Sequence, residues 1–288
     1  MRRMAWYLSD RLAEYAAAAD GMLRARPGQN TILLGAAETL RARGTGAFGA
    51  TAPLFGWWQQ PGREVTAAFL HTPPFPAVLT SMTAEQAVAL AAALASRGRR
   101  LGGVNAEPPV AAALAAAWQQ LTGEATRVHM RSRLYELGQL RLPDPAPPGQ
   151  ARVASPADRS LLIAWCEAFH REAQSGPEHV TTMVDDRISY RGLTLWESAG
   201  QPVSLAGLTR QVAGQVRVGP VYTPPGLRGQ GFGGAVTWAV SRAALDAGAT
   251  SVLLFTDLAN PTSNALYQRL GYLPVADRTI YSFGDNGL

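Results

Sequence analysis

The sequence predicts an α/β (α+β) protein of two like domains in tandem, each a mixed, mostly antiparallel sheet flanked by helices. Three observations predict it. Helical and β patterns follow one another in the same order through both halves. A proline-dense break, Leu142-Pro143-Asp144-Pro145-Ala146-Pro147-Pro148-Gly149, separates the halves. In the second half alone, a glycine-rich loop stands between a strand pattern and a helix pattern. The chain of 288 residues is 47% hydrophobic and 16% charged, enough apolar material for two domains of about 140 residues each.

The N-terminal half opens with two helical patterns, 4–24 and 30–43, with Asn30-Thr31 as the cap of the second. β-like runs follow at 54–59, 64–72 and 77–82, and Gln60-Pro61-Gly62 joins the first two as a hairpin turn. Thr83 is the expected N-cap of a helix over 84–96. A further helix over 109–121 begins with Pro109, where the first turn tolerates a missing N–H. A strand-like segment over 127–137 ends the half.

Four of the six residues 143–148 are proline, which neither a helix interior nor a central strand admits. They predict an extended, fairly stiff connector. The expected domains are therefore 1–142 and 151–288, joined by a linker over 143–150. The second half continues with a strand at 151–154 and helices over 157–173 and 179–190. Strands at 193–198, 202–210 and 215–222 turn at Ala199-Gly200 and Ala213-Gly214. After the glycine loop come a helix over 233–247, a buried strand at 251–256, a helix over 261–270 and a last strand at 279–283. Trp118-Gln119-Gln120-Leu121-Thr122-Gly123 falls where Tyr267-Gln268-Arg269-Leu270-Gly271-Tyr272 falls in the second half. The shared order predicts two copies of one fold.

Composition excludes several classes. The net charge is +5 and all 26 basic residues are arginine. They are scattered, with short pairs such as Arg2-Arg3 and Arg99-Arg100. No basic run is interleaved with aromatics, so nucleic acid is not an expected partner. The surplus suits an anionic small ligand. A single cysteine, Cys166, excludes an intramolecular disulfide and suits a reducing, cytoplasmic setting. It lies in a helical pattern with Leu162, Trp165 and Phe169 that favours burial. His71, His129, His170 and His179 lack ligand spacing, and no metal is expected. Asp10, Arg11 and Glu14 interrupt the N-terminal apolar stretch, and the alanine-rich run 87–95 is too short for a bilayer. No membrane association is expected, and nothing sets an oligomeric state.

Five of the nine residues Gly226–Gly234 are glycine. Such a loop leaves backbone N–H groups bare and able to approach an anion closely. The following helix adds its N-terminal partial charge, worth about 0.3–1 kcal/mol toward a negative neighbour. A Walker loop needs a lysine, and the chain has none. Gly229-x-Gly231-x-x-Gly234 also fits the dinucleotide fingerprint, but Thr223-Pro224-Pro225 separates strand from loop and fewer than 60 residues follow Gly229. A pyrophosphate cradle of another kind is indicated.

The pattern Arg228-Gly229-Gln230-Gly231-Phe232-Gly233, after Val218-Gly219-Pro220-Val221-Tyr222-Thr223, closely resembles the acetyl-coenzyme A loop of the GNAT superfamily (general control N-acetyltransferase-like). A second stretch, Asn260-Pro261-Thr262-Ser263-Asn264-Ala265-Leu266-Tyr267, resembles that superfamily's downstream signature. The resemblance covers about 135 residues of the second half and implies acetyl-CoA as acyl-donor cosubstrate. It also implies a tandem GNAT arrangement whose N-terminal copy is degenerate. By this resemblance, backbone groups of Val221, Tyr222 and Thr223 pair with the pantetheine arm. N–H groups of Arg228, Gly229, Gln230, Gly231, Phe232, Gly233 and Gly234 hold the pyrophosphate. Asn260 and Asn264 sit near the arm, and Tyr267 points at the sulfur. Asn260 also reads as a helix cap, and Tyr267 as a core aromatic.

The resemblance implies an N-acetyltransferase in which an amine of a small molecule or aminoacyl compound attacks the thioester directly, with Tyr267 donating a proton to the thiolate. A backbone N–H at the end of the 215–222 strand is the candidate oxyanion donor. That strand has no carboxylate to take the amine's proton. Glu197 is the candidate base through water, and Glu172 or Glu178 a carboxylate at the substrate mouth. The missing base keeps a second reading open, a non-catalytic acyl-CoA binding or sensing protein. In the first half, Thr83-Ala84-Glu85-Gln86-Ala87 replaces the glycine loop and Trp118 replaces the phenol, so that copy is expected to bind no cofactor.

Overall fold

A computed structural model describes residues 5–60, 62–173 and 180–284. Arg2, Arg3, Pro61, Glu178 and His179 lie outside these residues. The chain forms two compact units, Met1–Arg133 with Ala276–Leu288, and Leu134–Val275. The division falls inside two long strands, not at the proline-rich segment expected to separate the domains.

The first half of the chain runs β1 (Ala5–Ser9), α1 (Leu12–Ala25), α2 (Thr31–Arg43), β2 (Leu54–Gln59), β3 (Ala67–His71), β4 (Ala77–Leu79), α3 (Ala84–Ala95), β5 (Gly103–Ala106), α4 (Pro108–Thr122) and β6 (Thr126–Leu137). The second repeats that order: β7 (Gln150–Val153), α5 (Arg159–Glu172), α6 (Val180–Ser189), β8 (Leu193–Ser198), β9 (Gln201–Leu208), β10 (Gln215–Tyr222), α7 (Phe232–Asp246), β11 (Ser251–Asp257), α8 (Pro261–Arg269) and β12 (Tyr272–Phe283). The duplication read from pattern is therefore an element-by-element repeat. Strands lie in the order β1-β2-β3-β4-β5-β12 in the first unit and β7-β8-β9-β10-β11-β6 in the second. β4 with β5 and β10 with β11 are parallel, whereas β1 to β4, β5 with β12, and β7 to β10 pair antiparallel.

In the first unit, residues 5–9 form a strand where a helix from 4 is expected. The alternation of Trp6 and Leu8 with Tyr7 supports pairing along β2, from Ala5↔Gln59 to Ser9↔Phe55. The hairpin of β2 and β3 forms as read, Leu54 opposite His71 and Trp58 opposite Ala67. Thr83 caps α3 in a capping box with Gln86, a contribution of about 1 kcal/mol. Asn30 does not cap α2 through its side chain, which donates instead to the Leu23 carbonyl at 3.1 Å. β5 is too short and glycine-flanked to read from pattern. Its core face packs Val104 and Ala106 with Phe69, Leu90, Leu114 and Trp118.

In the second unit α7 covers one face of the sheet, Phe232, Val236 and Val240 meeting Val203, Val216 and Val218. α5 and α6 cover the other, Leu162, Cys166 and Val184 meeting Leu193, Leu195 and Leu205. Cys166 is a core residue, as its helical pattern predicts. The proline-rich segment is not a detached spacer. Arg141 N–H donates to the Leu270 carbonyl at 3.0 Å, and Trp196 Nε1 to the Pro148 carbonyl at 3.1 Å. It is held by the Arg141 donor just before it, by the Pro148 carbonyl as acceptor and by the Pro147 ring beside Gly231. Among the described residues, no helix is long and apolar enough to cross a membrane.

Candidate active site

β10 and β11 pair from Gln215↔Ser251 to Val218↔Leu254 and then part, although β10 continues to Tyr222 and β11 to Asp257. On its other side β10 stays with β9, but its register shifts between Val218 and Val221. Such a bulge bends a strand and raises its twist, which turns β10 away from β11. The edge of β10 at Val221 thus faces a gap between two strands that an extended ligand can enter. Tyr222 is buried beside Trp165, and its carbonyl accepts from Ser204 Oγ at 3.0 Å. Thr223 Oγ1 lies 2.9 Å from the same Ser204 Oγ.

The strand leads into the glycine loop. Gly229 and Gly231 take φ +79° and +83°, the left-handed region where a side chain is strained. Gly231 is the N-cap of α7, and the first helical bond runs from Ala235 N–H to its carbonyl. Among the described residues, the N–H groups of Gly229, Gln230, Gly231, Phe232, Gly233 and Gly234 meet no backbone acceptor. The Arg228 N–H is different. It donates to the Pro225 carbonyl at 3.3 Å, so the expected cradle begins one residue later, at Gly229. Arg228's guanidinium bonds the Thr223 carbonyl at 2.9 Å and both Glu172 oxygens at 2.9 and 2.7 Å. Glu172 is thereby committed to a half-exposed ion pair, worth up to about 1 kcal/mol.

The second signature forms the N-cap and body of α8. Asn260 Oδ1 accepts from Ser263 N–H at 3.0 Å, the helix-cap role. Asn264 Nδ2 donates to the Asp257 and Asn260 carbonyls at 2.8 and 2.7 Å, and its Oδ1 accepts from Tyr135 at 3.0 Å. Both polar atoms of the Asn264 side chain are thus engaged within the protein, whereas Asn260 is exposed and uses its Oδ1 as the cap. Tyr267 is 8% exposed, edge-on to Tyr272 at 6.1 Å, and burial pushes its phenol up to about 12.

Residues 160–272 match the family described as acetyltransferase (GNAT) family. This segment is a GNAT domain. No curated protein matches the chain in sequence. Among solved structures, an acetyltransferase of the GNAT family from Colwellia psychrerythraea is similar at TM-score 0.61 and 12% identity, over 97% of this chain and 98% of that one. A GCN5-related N-acetyltransferase from Sphaerobacter thermophilus is similar at 0.63 and 16%, over 98% and 97%. One from Kribbella flavida gives 0.53 and 22%, over 77% and 87%. At these identities the likeness is one of fold, and the first two extend it over both units.

The bare N–H row and the open edge of β10 fit acetyl-CoA, an extended arm ending in a pyrophosphate. The GNAT domain does not bring Glu197 to this place. Glu197 pairs with Gln150 on β7 and with Pro202 on β9, whereas Tyr222 lies opposite Leu205. It is thus two strands, roughly 10 Å, across the sheet from β10 and displaced beyond its end. Its carboxylate accepts from Arg152 Nε at 2.8 Å, and Arg152 also holds Asp158 at 2.8 and 2.9 Å. That hydrogen-bonded pairing holds the Asp158 carboxyl well below the usual range. Glu197 is part of an edge-strand ion network, and Glu197→Gln is expected to leave kcat for amine acetylation within about twofold of wild type, measured by thiol release. Among the described residues, no group of three or more His, Cys, Asp or Glu is gathered to hold a metal.

In the first unit the corresponding place is filled. β4 and β5 pair at Ala77↔Val104 and Val78↔Asn105, and β4 ends at Leu79. Arg278, on β12, donates to the Leu79 carbonyl at 3.0 Å and to the carbonyl and Oδ1 of Asn105 at 2.6 Å each. Its guanidinium bridges the two strands where they separate, a position that sequence pattern did not mark. Trp118, in the place of Tyr267, donates to Glu124 at 2.8 Å and stacks on Phe283.

Proposed function

We propose that the GNAT domain transfers the acetyl group of acetyl-CoA to a primary amine of a small molecule or aminoacyl compound by direct attack. The observation that carries this reading is the parting of β10 from β11 beside a row of N–H groups at Gly229 to Gly234 with no backbone acceptor. Bound acetyl-CoA supplies an activated acyl group and a thiol leaving group. Val221 and Thr223 hold the pantetheine arm through their backbone, in the manner of an added strand. The loop N–H groups and the start of α7 bind the pyrophosphate. A backbone N–H at the end of β10 steadies the charge that builds on the carbonyl oxygen.

Tyr267 serves as a hydrogen-bond donor to the departing sulfur. With its phenol at about 12 and a thiol near 8.5, complete proton transfer is uphill by about 5 kcal/mol. The phenol therefore shares its proton with the sulfur and stays neutral through the working range. Tyr267→Phe is expected to lower kcat about tenfold to a hundredfold with the acetyl-CoA Kd unchanged, read by steady-state kinetics and calorimetry. The wild-type kcat profile should carry no falling limb from this phenol below about pH 11.

The acceptor must be neutral to attack. At pH 7 a lysine-like amine costs about 4–5 kcal/mol to deprotonate and an α-amine about 1. Without a carboxylate on β10, amines of low pKa are favoured. The same absence supports a second reading, a non-catalytic acyl-CoA sensor. Amine-dependent thiol release across an amine panel tests the choice; binding of acetyl-CoA with no release by any amine would leave only the sensor. A reducing, cytoplasmic setting fits the lone cysteine.

A further inference from the structure

Beside the gap, on the face of the sheet covered by α5 and α6, positive charge prevails. Arg187, on α6, donates through Nη1 to the Gly219 carbonyl. Gly219 is the first residue of β10 past its last pairing with β11. The guanidinium lies directly on β9, since a Cβ on Gly207 would collide with Nη1. The neighbouring acid is already engaged: Asp186 accepts from Arg210 Nη2 at 2.9 Å. Arg210 in turn lies 4.2 Å over the Tyr190 ring, whose hydroxyl donates to the Leu208 carbonyl at 2.9 Å. The charges of Arg187, Asp186, Arg210 and Arg217 all bear on that phenol, three guanidiniums to one carboxylate. Among the described residues Arg187 forms no ion pair, and it is partly buried.

A guanidinium carries five N–H donors in a planar fork, and the contact with Gly219 uses one of them. Its fork matches a carboxylate in two-point contact, and partial burial strengthens that attraction over its value in water. Arg187 also stands where an amine attacking a thioester held along β10 must approach. A dication such as a diamine would meet like charge there, whereas an amine bearing an anionic group would meet a partner. We infer that Arg187 anchors the carboxylate of the acceptor, and that the acceptor class is amines carrying a carboxylate near the nitrogen, as α-amino acids do. This rests on the acetyltransferase reading above.

The test is calorimetric titration of α-amino acids, each beside its own carboxamide, into the whole protein saturated with CoA. For at least one pair the carboxylate form is expected to bind tighter by about tenfold to a hundredfold. Arg187→Gln should erase the preference and Arg187→Lys retain part of it, with the CoA Kd unchanged in both. Equal binding within every pair, no binding by any member, or a preference that survives Arg187→Gln would overturn the anchor while leaving acetyl-CoA binding intact. Failure of CoA itself to bind the wild type would overturn the acetyltransferase reading, and the anchor with it.

Discussion

A Gly231→Trp/Gly233→Trp variant is expected to lose acetyl-CoA affinity by a hundredfold or more in calorimetric titration. Gly231 sits at φ +83°, so any side chain there strains the turn that presents the N–H row, a cost of about 1–2 kcal/mol. A Cβ on Gly233 would stand 3.4 Å from Thr223 Oγ1, and the indole beyond it would cover the start of α7. Each charge-assisted hydrogen bond lost is worth about 1.5–3 kcal/mol, so two of them account for a hundredfold. The fold should survive. Gly231 is exposed, and the core beneath the loop is built from Phe232, Ala235 and Val236. Undiminished affinity in a folded variant would show that the loop is plain structure.

Arg278→Met is expected to destabilise the first unit by about 2–4 kcal/mol, measured by urea unfolding together with amide exchange in β4 and β5. The guanidinium satisfies the Leu79 carbonyl and two oxygens of Asn105, and removing it orphans acceptors at about 1–3 kcal/mol each. An opposing effect is present. Burial pulls Arg278 down to about 10, against the pull of Glu107, so the charged form is held at a cost that methionine would relieve. Apolar replacements of buried charges are sometimes neutral or stabilising for that reason. Here the acceptors are left without a donor, and the loss should prevail. An unchanged unfolding midpoint would mean that the bridge contributes nothing net.

The loop and its neighbours were legible because their chemistry is local. A glycine at positive φ, an asparagine at a helix start and a threonine before a helix act within a few residues of themselves. Thus β2, β8 and β10 coincide with their patterns, and the glycine loop lies between β10 and α7 as its pattern predicts. The two aromatic strands were harder. Residues 5–9 adjoin the helical pattern that follows them, yet form an edge strand because β2 offers them a ladder. β12 extends from Tyr272 where only 279–283 read as strand, since its first residues are sustained by partners distant in sequence.

Glu197 marks the same limit at the site. As a residue type it is a competent base, but its place opposite Gln150 and its bond to Arg152 remove it from β10. Its role depended on register and on an arginine 45 positions earlier in the chain. The sequence alone determined the element order, the duplication, the glycine loop before α7 and the family resemblance, all of which are set by neighbours along the chain. Tertiary structure decided where the units divide, where β10 leaves β11, and that Arg278 and Arg187 stand at the two partings. Those outcomes come from strand pairing and charge burial between residues far apart in sequence, which no local pattern encodes.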